Sequence, residues 1–131
     1  MSEALRIHHV TITVTDLDAS VAWYEQVLGL EKAAVRTGTG WVRALLKNRH
    51  GLAIGLTVHE AAYPGDRFDE RRVGLDHLSI ACADATEVEA WRARLDELGV
   101  AHDGVGELSY GYVLVARDPD GIAIEFVSPR V

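Results

Sequence analysis

The chain has 131 residues, 48% of them hydrophobic, and a net charge of −7; it is long enough to bury the core of one compact domain. The acidic balance argues against nucleic acid as a partner, since nucleic acid selects a basic face. With Cys82 as the single cysteine there is no intrachain disulfide, and without a basic-then-apolar leader or a membrane-length apolar run the expected compartment is the cytoplasm, away from the membrane.

An alternating stretch from His9 to Val14 predicts the first strand. Asp16 or Asp18 can cap a helix through 19–28, with Val21, Tyr24 and Leu28 on one stripe and Gly29 as terminator. Strands follow near 32–37, 41–47 and 52–58. Residues 60–74 are charged, contain Pro64-Gly65 and lack either periodicity, so they read as a linker. The second half repeats the plan. A strand begins at His77, a helix runs from about Thr86 to Leu98 with Gly99 as terminator, and strands lie near 101–105, 110–116 and 122–127. Asp118-Pro119-Asp120-Gly121 supplies the last turn. The expectation is a single domain of two modules, about 5–59 and 75–131.

The two halves are copies. Ile7-His8-His9-Val10-Thr11-Ile12 and Leu75-Asp76-His77-Leu78-Ser79-Ile80 are 68 positions apart, and the same shift carries Trp23 onto Trp91. A shift of 70 superposes the segment from Gly51 to Leu56 on that from Gly121 to Phe126. Such a repeat predicts paired modules about a pseudo-twofold.

Period-2 alternation places His9, Thr11 and Thr13 opposite Val10, Ile12 and Val14, and His77 and Ser79 opposite Leu78 and Ile80. Glu125 likewise opposes Ile124 and Phe126, while parity turns His8 toward the core side. Any one of these polar residues fits a solvated strand face. Two symmetric histidines and one carboxylate together match a facial arrangement that holds a divalent metal and leaves positions open for substrate.

These residues resemble the vicinal oxygen chelate proteins, which include glyoxalase I, methylmalonyl-CoA epimerase, fosfomycin and bleomycin resistance proteins, and extradiol dioxygenases. The resemblance runs from His9 through Asp16-Leu17, Ser20, Trp23-Tyr24 and Leu28-Gly29-Leu30 to Asp118-Pro119-Asp120-Gly121 and Glu125. It implies an α+β fold of two paired βαβββ modules whose mixed sheets curl into a cup. It also implies four ligand positions: His9, position 55, His77 and Glu125. Position 55 is glycine, a departure from glyoxalase I and the epimerases, which fill all four. Val115 stands where extradiol enzymes carry tyrosine, and the loop from Gly104 to Tyr110 lacks the basic, serine-rich character of the fosfomycin enzymes.

Two function classes follow. The first is an enzyme in which His9, His77 and Glu125 hold Fe2+, Mn2+, Ni2+, Co2+ or Zn2+ and a small substrate chelates the metal through oxygen; the missing fourth ligand favours dioxygenase or transferase chemistry over glyoxalase isomerisation. The alternative is a non-catalytic binding protein that sequesters an antibiotic or natural product in the same cup. His59 is a candidate general base, and Tyr110 and Tyr112 are candidate hydroxyl donors to bound oxygen, each also explicable as an ordinary strand or loop residue. Arg43 can pair with an anionic substrate or face solvent, and Thr11 and Ser79 can hydrogen bond to the ligands. The resemblance also implies a homodimer in which modules are exchanged.

Overall fold

The computed structural model describes residues 3–130. They form two compact units, Met1–Asp66 and Arg67–Val131, and the boundary falls inside the charged stretch 60–74.

The first unit runs β1 (Val10–Thr13), α1 (Leu17–Leu28), β2 (Glu31–Gly38), β3 (Trp41–Lys47) and β4 (Ala53–His59). Asp16 caps α1 by accepting from Ala19 N at 3.0 Å, a contact of about 1 kcal/mol. Gly29 ends the helix with φ 67°, a left-handed backbone that glycine adopts without strain. The sheet order is β1-β4-β3-β2, with β1 parallel to β4 and the other pairs antiparallel. Ile12, Val14, Ala44, Leu46, Ile54 and Leu56 are buried together with Val21, Tyr24 and Val27 of α1, so one sheet face packs on the helix. The alternate residues Thr11, Thr13, Trp41, Arg43, Leu45, Gly55, Thr57 and His59 form the face without a helix.

The second unit repeats this with β5 (His77–Ala81), α2 (Ala85–Glu97), β6 (Gly106–Leu108), β7 (Gly111–Arg117) and β8 (Ala123–Pro129). Its order is β5-β8-β7-β6, and β5 is parallel to β8. Leu114, Ala116, Ile124 and Phe126 are buried under α2, where Trp91 stacks on Phe126 at 4.4 Å between ring centroids. Cys82 belongs to the core, and burial pushes its thiol pKa up to about 11, which removes it as a nucleophile near neutral pH.

The duplication extends to the turns. Asn48 Oδ1 accepts from His50 N and Leu52 N in the first unit, and Asp118 Oδ1 accepts from Asp120 N and Ile122 N in the second. One expectation fails: the strand near 101–105 is shorter and later, at β6, with only His102 bridged to Ala116 before it. The cause is local. His102 Nε2 lies 2.6 Å from Asp96 of α2, and its Nδ1 accepts from Gly104 N, so the segment is tied to the helix end before it can join the sheet.

Candidate metal centre

Parallel pairing of β5 with β8 sets Ser79 directly opposite Glu125, on the face without a helix, two residues along from His77. His77 Nε2 and Glu125 Oε1 stand 4.0 Å apart. Ser79 Oγ donates to Glu125 Oε1 at 3.0 Å, which fixes the carboxylate and leaves Oε2 available. His77 Nδ1 is 2.7 Å from Asp76 Oδ1. A carboxylate on Nδ1 selects the tautomer with its proton there and presents the Nε2 lone pair outward, as histidine ligands are held in metal sites. The hydrogen bond to Asp76, aided by the charge of Glu125, holds the His77 pKa above the ordinary imidazole value.

The His77 side chain is half-exposed and that of Glu125 largely buried, and an imidazole nitrogen facing a carboxylate oxygen is a donor pair that a divalent cation would take. The donor set therefore fits a divalent cation on two sides.

His9 belongs to the first unit. It is exposed and immediately precedes β1. His8 is exposed as well, which corrects the expectation that it turns toward the core: β1 begins only at Val10, so strand alternation does not reach back to it. The two imidazoles meet edge to face, with Nδ1 to Nδ1 2.7 Å apart. His8 thus occupies before His9 the place that Asp76 occupies before His77, each lying against the Nδ1 of the repeated histidine. Sequence reasoning missed this pair of orienting residues, although the polar residue before each repeated histidine was the available signal. Among the described residues no group of three or more His, Cys, Asp or Glu side chains gathers within one metal site.

The remaining candidates fall elsewhere. Tyr112 is opposite Ser128 and shares the face of Leu114 and Ala116 under α2, whereas Glu125 is opposite Val115, so Tyr112 lies on the wrong side of the sheet to reach the carboxylate. Tyr110 precedes β7, is exposed, and takes no part in its alternation. His59 ends β4 on the helix-free face opposite Trp41, four residues and about 13 Å along the strand from Gly55. Position 55 is not vacant space: a Cβ there would meet Thr11 Oγ1 at 2.9 Å and Arg43 Cδ at 3.4 Å.

Among curated proteins none matches the chain. A crystal structure of a glyoxylase/bleomycin resistance protein/dioxygenase domain from Frankia sp. EAN1pec is 35% identical with a TM-score of 0.89, covering 98% of this chain and 94% of that one. Two others share the fold at lower identity. An antibiotic binding protein from Streptomyces sp. CB03234 is 21% identical with a TM-score of 0.74 over 98% of this chain and 99% of its own. A fosfomycin resistance protein from Listeria monocytogenes, complexed with Mn(II) and 1S,2S-dihydroxypropylphosphonic acid, is 19% identical with a TM-score of 0.69 over 97% and 90%. Residues 6–126 match the family model of the Glyoxalase/Bleomycin resistance protein/Dioxygenase superfamily, and with two repeated strand–helix–sheet units and a histidine–carboxylate pair on the open sheet face, the chain belongs to that superfamily.

Proposed function

We propose that the protein is a divalent-metal-dependent enzyme whose small substrate binds through oxygen, with His77, Glu125 and His9 as ligands. The observation that carries this reading is the oriented pair in the second unit, His77 held at Nδ1 by Asp76 and aimed at a Glu125 carboxylate that Ser79 steadies. His9, whose Nδ1 lies against that of His8, supplies the third ligand either from the same chain or from a second copy. When bound, the cation supplies Lewis-acid stabilisation of negative charge developing on a substrate oxygen. The chain's own residues set what else is available. Gly55 offers no carboxylate to shuttle a proton between adjacent carbons, which favours dioxygenase or transferase chemistry over isomerisation of the glyoxalase type.

A second reading, sequestration of an antibiotic or natural product without catalysis, is favoured by the lack of a gathered three-ligand group among the described residues. Titration with Mn(II), followed by water-proton relaxation, separates the two. The enzyme reading expects one tightly bound ion with exchangeable water that oxalate, a bidentate oxygen ligand, displaces. Failure to bind Mn(II) supports sequestration.

A further inference from the structure

The helix-free face of the first unit differs in charge from its copy. Pairing aligns Thr57, Arg43 and Arg36 in one row across β4, β3 and β2, with Thr13 of β1 at its end. The equivalent row of the second unit is Val127, Val113 and Gly106. Three polar or cationic residues thus replace an apolar row in a chain whose net charge is −7.

Arg43 is braced on two sides. Its Nε donates to Thr57 Oγ1 at 2.8 Å, and its guanidinium carbon lies 4.6 Å from the centroid of the Trp41 ring. Trp41 is itself seated, because a side chain at Gly38 would overlap its indole. Gly55 completes the bed, since the Arg43 stem passes where a bulkier residue would stand. These contacts consume Nε and one ring face and leave both terminal nitrogens of Arg43 without an acceptor among the described residues. Arg36, exposed and directly opposite, has no carboxylate partner there either. Like charges opposed across antiparallel strands repel. An oxyanion placed between them turns that repulsion into two charge-assisted contacts of the forked kind guanidinium makes with carboxylate or phosphonate.

We propose that Arg36 and Arg43 form an anion clamp for the carboxylate or phosphonate group of the substrate. This rests on the reading above that the protein acts on a small oxygen-bearing molecule, and it names that molecule as one with a second, anionic end. Thr13, at the end of the Arg43 row, is four residues and about 13 Å of extended chain from His9.

The test is calorimetric titration of chelator-treated protein with methylphosphonate and, in parallel, acetate, at constant ionic strength. Saturable binding of either anion at one site per chain is expected, and the tighter one identifies the group. Arg43→Gln should weaken it tenfold or more and Arg36→Gln several-fold, while Arg49→Gln, on the turn between β3 and β4, should bind as the unmodified protein does. Arg36 is exposed, so its variant keeps the test readable if Arg43→Gln fails to fold. Absence of saturable binding, or unchanged affinity in Arg36→Gln together with a folded Arg43→Gln, overturns the clamp. Metal content measured on the same variants should stay at the unmodified level, so loss of anion binding with metal retained is specific to the clamp. Anion binding by a protein that takes up no metal leaves the clamp standing and refutes only the metal site.

Discussion

Asp76 acts on His77 through a single contact at Nδ1, and the direction of its effect can be worked out. In the metal-free protein, protonated His77 is favoured, so its contribution to stability is full below the ordinary imidazole value of about 6.5 and is lost as pH rises through the raised native value. A proton and a metal compete for Nε2. Metal affinity should therefore fall as pH drops through that raised value, by about tenfold per unit once protonation dominates. Asp76→Asn is expected to move the onset of this loss to lower pH and to weaken metal binding about 10–100-fold at pH 8, where the proton no longer competes. Competitive titration with a metal-sensing dye across pH checks both; an unchanged pH midpoint would show that Asp76 does not orient the ligand.

At the scale of elements, the turn before β8 depends on one buried carboxylate. Asp118 accepts from two backbone N–H groups at 2.9 Å, and its truncation leaves the buried Ile122 N–H and the part-buried Asp120 N–H without this acceptor. Asp118→Ala should cost about 2 kcal/mol or more, read as a drop in denaturant midpoint without a change in slope. Much of this architecture was legible in the sequence, because alternation and glycine terminators are local signals: β3 was anticipated at 41–47 and is Trp41–Lys47. Contacts between neighbours in sequence were not, since a period-2 pattern says nothing about Asp76 touching His77. Residue type alone makes Tyr112 a candidate hydroxyl donor, whereas alternation in step with the buried Leu114 puts it on the helix side of the sheet, opposite the face of Glu125. Arg43 could not be decided from alternation alone. Its seat depends on Gly38, Gly55 and Thr57, which only strand register brings beside it.

For the whole molecule, the repeat also places apolar side chains in solvent. Leu5 and Ile7 before β1 and Val73 and Leu75 before β5 occupy equivalent repeat positions and are all exposed. Matching apolar pairs of this kind suit a self-complementary contact with a second copy, which would let His9 of one chain complete the site of another. The central claim is that His9, His77 and Glu125 hold one ion, and the most direct measurement is metal stoichiometry in protein purified without chelator or affinity nickel. His9→Ala and Glu125→Ala should each fall below about a tenth of the unmodified content, consistent with the loss of a principal ligand. An equimolar mixture refolded together should regain one intact site per heterodimer if chains share sites, and none if each chain keeps its own. Stoichiometric metal retained by His9→Ala or Glu125→Ala alone would contradict the account.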